Sequence, residues 1–254
     1  VDRGLISLKF AMLRNTSAGL RKAGWVLGAV LVLATWASAV VAPDAAVRHS
    51  VLTLVFAMWL VGAMLGPVLT SGAGVVRADY FALLPVSRLA LGRGLLATVF
   101  VGVAAAYVLA ALLTNAWHAS ALGIAALAVA VVGAALTWIF VIAMSRLVYG
   151  ALGAAMRTRL GIEIAGVQWG LFFAVMFTGW MVVSVAFQSI PQLLQDGLPP
   201  GPITTVLDAI PTSWSVLAAE AAGQGDVGRA ALLILALVAL DAVVIAAAVP
   251  LLVP

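Results

Sequence analysis

Among the nine acids of this chain, Asp241 alone stands well inside a long apolar run. An ionised carboxylate at membrane depth costs about 2.5–3.5 kcal/mol on insertion scales. Asp241 therefore either carries a coupling proton, or stays protonated and hydrogen-bonds within a helical bundle. No Lys or Arg lies at similar depth in another apolar run, and proton relays use chains of ionisable groups. That favours the structural role. The two histidines, His49 and His118, fall in different predicted loops. Zinc needs several His, Cys or carboxylate ligands converging, and no H-E-x-x-H is present, so no metal site is expected. With no cysteine, disulfides, thiolate catalysis and thiolate metal sites are excluded. A phosphate-cradling loop needs Gly-Lys before Ser or Thr. The two lysines follow Leu8 and Arg21, so the chain has no such ATP site. Gly223-Gln224-Gly225-Asp226-Val227-Gly228 matches G-x-G-x-x-G, but an apolar run follows rather than a βαβ unit. It reads as a turn into the last span. Neither a catalytic residue set nor a cofactor site emerges, and no enzyme activity is expected of this chain.

The surrounding elements are membrane helices. Apolar residues make up 65% of the chain and charged residues 9%, with mean hydropathy +1.21. A soluble domain is nearer half apolar and a quarter charged. Apolar runs predict six spans, at 23–42, 51–69, 94–113, 121–144, 167–187 and 230–249. Each is about 20 residues, enough to cross roughly 30 Å of hydrocarbon as a helix. The first run is too long for a secretory h-region of about 7–15 residues, despite the small residues Ala37-Ser38-Ala39.

With the N-terminus inside, eleven of the thirteen basic residues face the cytoplasm, and only Arg48 and Arg229 lie outside. This is the positive-inside asymmetry. The basic residues sit at span ends, beside anionic lipid, and do not indicate nucleic-acid binding.

The expected fold is all-α: a single transmembrane domain over 1–254. Residues 1–22 form an amphipathic helix at the cytoplasmic interface, with Leu5, Leu8, Met12 and Leu13 on one face. Spans one to five cover 23–187, an external segment 188–229, and span six 230–249. Two short helices are expected to meet near Pro85 in the internal loop. The external segment holds Pro191, Pro199, Pro200, Pro202 and Pro211, then a helical piece from about Ser213 to Ala222, capped by Thr212 or Ser213. It is apolar enough to fold back on the bundle or dip into the outer leaflet. Residues 42–50 and 114–120 are expected as short external loops, and 145–163 as a cytoplasmic extension of span four. Gly24/Gly28 and Gly62/Gly66 have the spacing of close helix contacts.

Residues 77–93, Arg-Ala-Asp-Tyr-Phe-Ala-Leu-Leu-Pro-Val-Ser-Arg-Leu-Ala-Leu-Gly-Arg, are similar to the R-x-x-x-x-x-L-L-P-(V/I)-S turn of a known family. Leu198-Pro199-Pro200 and Trp214 look similar too. Together with the order of elements, the chain resembles the permease subunit of ABC exporters of the type-two family, over nearly its whole length. The Arg-rich, Lys-poor composition suggests an actinobacterium-like, GC-rich source. The resemblance implies a cytoplasmic coupling helix, with Arg77, Asp79, Tyr80, Phe81, Leu83, Leu84, Pro85 and Arg88 contacting an ATPase. It also implies a multi-pass protein of the cytoplasmic membrane that exports a lipid, glycolipid, antibiotic or peptide. The implied partners are cytosolic ATPase subunits, a second permease copy or homologous half, and membrane lipids. ATP and magnesium would sit on the ATPase, with no cofactor in this chain. Ending straight after its last span, the chain fits a short permease or the first half of a twelve-span protein. Two other classes stay open: a proton- or ion-coupled secondary transporter using Asp241, and a membrane scaffold without transport.

Overall fold

The computed structural model describes residues 4, 7, 8, 11, 18–69, 81, 87–155, 163, 166, 170, 184 and 188–253. These residues are mostly helical, with no strand among them. The helices in chain order are α1 (Ala18–Val41), α2 (Ala45–Leu69), α3 (Arg88–Phe100), α4 (Val103–Leu112), α5 (Thr114–Ser120), α6 (Ile124–Ala155), α7 (Pro202–Ala209), α8 (Trp214–Gly223) and α9 (Val227–Leu251). Residues 188–196 are also helical. Among the described residues, five helical stretches are long and apolar enough to cross a membrane: Gly24–Val41, Ala45–Gly66, Val103–Ser120, Ile124–Ala155 and Val227–Leu251. The expected fifth span, 167–187, lies almost wholly outside the described residues, as do residues 1–17 apart from Gly4, Ser7, Leu8 and Ala11.

The polarity of the bundle is inverted relative to a soluble protein. Its exposed positions include Trp25, Leu27, Leu33, Met58, Leu232 and Leu235, while Thr35, Thr53, Thr98, Thr137, Ser145 and Asp241 are buried. An apolar surface of this extent around polar interior positions is that of a multi-pass membrane protein. Hydrogen bonds then tie helix to helix. Trp36 Nε1 donates to the Ala110 carbonyl at 2.9 Å, Trp59 Nε1 to Thr35 Oγ1 at 3.0 Å, and Ser145 Oγ to the Ala63 carbonyl at 2.6 Å.

The long α6 is the hub. Phe140 and Val141 on it meet Leu52 and Phe56 of α2, Val108 and Leu112 of α4, Val216 of α8 and Val244 of α9 in one core. Close approach comes from glycines, but not from the pairs their spacing suggested. A Cβ on Gly24, Gly62 or Gly66 would meet nothing, while one on Gly28 would strike the Tyr107 ring. The close backbone contacts are elsewhere: a Cβ on Gly92 would lie 2.6 Å from the Val249 carbonyl oxygen, and one on Gly133 would lie 2.8 Å from the Ser215 Cβ. Four-residue spacing recurs by chance in glycine-rich helices; what selects a contact glycine is the partner it faces.

Three further expectations change. The loop expected at 42–50 is mostly the first turns of α2. Its start is capped by Asp44, whose Oδ1 accepts from the Val47 N–H at 2.8 Å. Arg48 reaches back to the Ala39 and Ala42 carbonyls and satisfies the end of α1. The loop expected at 114–120 is the helix α5. The third span is broken, because Val101 and Gly102 leave helical geometry between α3 and α4. The apolar continuity of 94–113 hid that break.

At one end of the bundle, α7, the 3-10 turn Pro211–Ser213 and α8 form a cap before α9. Its apolar side chains explain why it folds back: Leu207, Val216, Ala218, Ala219 and Ala221 are all buried. Ser213 does not cap α8 as expected. Its hydroxyl donates to the Leu207 carbonyl at 2.7 Å, locking the turn between the two cap helices. The G-x-G-x-x-G stretch is the turn into α9: Gly225 takes φ +81, and the Asp226 carboxylate accepts from the Arg229 N–H at 2.9 Å.

Candidate functional site

The two histidines that the sequence left in separate loops converge under the cap. His49 lies in the second turn of α2, His118 in the last turn of α5, Asp208 near the end of α7, and Glu220 on α8. Glu220 is the centre. Its carboxylate meets His49 Nδ1 at 2.9 and 3.0 Å, and its Oε1 meets His118 Nε2 at 3.0 Å. The other ring nitrogen of His49, Nε2, lies 3.1 Å from Asp208 Oδ1. Four helices distant in sequence are thus joined through one imidazole and one carboxylate.

Burial grades across this cluster. The His118 side chain is 1% exposed, those of Glu220 and His49 about a fifth, and that of Asp208 40%. Burial pushes the Glu220 carboxyl up, but hydrogen bonds from His118 and His49, with their charge, outweigh it and bring the pKa down to about 2. Glu220 is therefore a fixed anion at neutral pH. The other ring nitrogen of His118, Nδ1, is buried with no partner among the described residues. A cavity of about 590 Å³ opens beside the cluster, its polar lining made of His49, Ser50, His118, Thr204, Glu220 and Gln224. Among the described residues, no group of three or more His, Cys, Asp or Glu is arranged to hold a metal ion. The arrangement is a hydrogen-bonded cluster of two imidazoles and two carboxylates.

Asp241 lies on α9 about 21 Å along its axis from the first residue, at 1.5 Å per residue. It is 5% exposed, and neither carboxylate oxygen has a hydrogen-bond partner among the described residues. The bonded, structural aspartate favoured from the sequence is not what this geometry provides. On α6, the helix against which α9 packs most, Thr137 also holds its hydroxyl without a partner. Arg146, on that helix too, is half-buried and makes no ion pair with Asp241 among the described residues. An unpartnered buried carboxylate is destabilising. Asp241→Asn is accordingly expected to keep or raise the thermal midpoint of the purified protein. A fall of several degrees would mean that Asp241 has a bonding partner in the folded bundle.

Of the predicted coupling residues, Arg77, Asp79, Tyr80, Leu83, Leu84 and Pro85 lie outside the described residues. Phe81 is half-buried and packs against Leu91 and Leu95 of α3. Arg88 is exposed and opens α3, directly after Ser87, whose hydroxyl accepts from the Ala90 N–H. The helix start at the end of the Leu-Leu-Pro-Val-Ser stretch is thus built by a side-chain cap. Compared with known proteins, the chain matches no family model, no curated protein and no solved structure.

Proposed function

We propose that this chain is the membrane-embedded permease subunit of an ATP-driven exporter, moving a hydrophobic or amphipathic substrate across the cytoplasmic membrane. The observation that carries the reading is the order of elements. Two long apolar helices, α1 and α2, precede residues 70–86, a capped helix start follows at Ser87–Arg88, and a folded-back helical cap precedes the last span. That order supports the resemblance carried by residues 77–93. In this reading the cap faces outward and the turn inward. Two permease halves share two cytosolic ATPase subunits, which hold the ATP and magnesium. ATP binding draws the ATPases together, moves the turn, and rocks the bundles between inward and outward states. The test is co-purification: the tagged chain should retain an ATPase encoded beside its own gene. Purification without any ATPase, from cells expressing both, would contradict the assignment.

Orientation has its own expected result, made simple by the absence of native cysteine. A cysteine at exposed Gln224 should react with an impermeant thiol reagent added outside intact cells. One at exposed Ser87 should react only after the membrane is opened. Ser213, central to the cap in sequence, is fully buried and unsuited to this labelling. Swapped accessibility would reverse the topology.

A second reading, a proton- or ion-coupled transporter, is favoured by two specific observations: the break at Val101–Gly102 in the third span, and the unpartnered Asp241. Discontinuous helices and intramembrane acids are where coupling ions bind.

A further inference from the structure

One titratable ring on α2 touches both helices of the cap. Both nitrogens of His49 face carboxylate oxygens, Nδ1 towards Glu220 at 2.9 Å and Nε2 towards Asp208 at 3.1 Å. A neutral imidazole has a single N–H; its other nitrogen is a lone pair, which repels a carboxylate. Both contacts are hydrogen bonds only when His49 is an imidazolium. His118 differs, because it has one carboxylate contact, through Nε2, and a neutral ring satisfies it.

We propose that His49 is a proton-operated latch. As an imidazolium it clamps α7 and α8 onto α2, and on losing its proton it releases α7 and opens the cavity beneath the cap. The contact to Asp208 is the one expected to break. Asp208 offers one oxygen at 3.1 Å from a 40% exposed side chain, while Glu220 offers two oxygens at 2.9 and 3.0 Å. Thr204, four residues before Asp208 on α7, lines the cavity, so movement of α7 changes the cavity mouth.

The other groups around His49 leave it as the switching element. On its own helix, Arg48 is engaged with the Ala39 and Ala42 carbonyls and Asp44 with the Val47 N–H. From α5 comes His118, from α7 Asp208, and from α8 Glu220. The 3-10 turn brings no ionisable side chain. Arg21 and Lys22 of α1, and Arg146 and Tyr149 of α6, lie towards the far ends of those helices. Asp196 follows Leu193 and Leu194, which pack on Val47 and Val51.

The latch goes beyond the exporter reading and is independent of it. The test uses the full chain in lipid nanodiscs. Nitrogen NMR of histidine-labelled protein counts the protons on the chain's only two imidazoles. At pH 7 the expected spectrum holds an imidazolium, and Asp208→Ala, at a carboxylate that meets His49 and not His118, assigns it to His49 by the changed shifts. Spin labels at exposed Thr205 on α7 and exposed Ser120 on α5 then report the clamp. Their distance distribution should be narrow while His49 is protonated. It should broaden and lengthen over the pH range in which NMR shows the proton leaving. Asp208→Ala, at the most exposed member of the cluster, removes the acceptor outright and should give the broad distribution at every pH without loss of folding. Two neutral rings at pH 7, or an unchanged distance across the titration of His49, would overturn the proposal. So would a narrow distribution in folded Asp208→Ala.

Discussion

Replacing Leu83 and Leu84 together by Asp is expected to abolish capture of the ATPase while leaving the permease in the membrane. The expectation follows from the coupling role proposed for residues 77–88. Leu83 and Leu84 would fill a groove on the ATPase, with Asp79 and Arg88 as rim charges. Buried anchors each contribute about 2 kcal/mol or more to such contacts, and each new carboxylate would enter the groove without a partner. A combined loss of about 4 kcal/mol lowers affinity roughly a thousandfold, beyond what co-purification tolerates. Insertion should not suffer, because the substitutions fall outside the apolar runs. Undiminished recovery of the ATPase would remove the coupling role from residues 77–88.

Removing the carboxylate at the centre of the cap is expected to have the next largest effect. Glu220→Ala takes away the acceptor of both histidines at once and leaves His118, 1% exposed, with no partner on either ring nitrogen. Breaking a fully buried charged pair costs about 3–5 kcal/mol. With Glu220 about a fifth exposed, roughly 2–3 kcal/mol is expected, read as a clear drop in the thermal midpoint of purified protein. Acid should imitate the substitution. The Glu220 carboxyl is held at about 2 in the folded protein, against 4.5 for an unperturbed glutamate. Its stabilisation is therefore complete above pH 4.5 and is lost as pH falls towards 2. Between pH 5 and 3 the wild-type midpoint should fall more than that of Glu220→Ala, so the gap between them narrows. A gap independent of pH would mean that the Glu220 charge adds nothing to cap stability.

The apolar runs disclosed much of the architecture, because the bilayer demands long apolar helices, and the runs at 23–42, 51–69, 121–144 and 230–249 each fall on one. α9 lies close to its expected bounds, while α1 and α2 start earlier than expected and α6 runs on into the expected extension of span four. The folded-back cap was legible too, from the surplus of Ile, Val, Leu and Trp in a Pro-rich segment. What the sequence concealed were features set by partners far along the chain. Apolar composition is blind to the break at Val101–Gly102, since both residues are equally at home in a continuous span. The functional cluster was hidden by distance, with His49 and Glu220 171 positions apart. A faint signal existed: His118 and Glu220 are lone ionisable residues inside short apolar stretches, and such residues need partners when buried. Asp241 carried the same signal, and there the chain supplies no partner among the described residues.

The central claim is that ATP hydrolysed on a partner drives transport through this bundle. The direct measurement is export into sealed vesicles reconstituted with the permease and its ATPase, with ATP and magnesium present and no ion gradient. Substrate accumulation that stops with a non-hydrolysable ATP analogue, and persists in Asp241→Asn, is the predicted result. No accumulation with ATP, together with transport restored by a proton gradient alone and lost in Asp241→Asn, would contradict it and establish the ion-coupled mechanism instead.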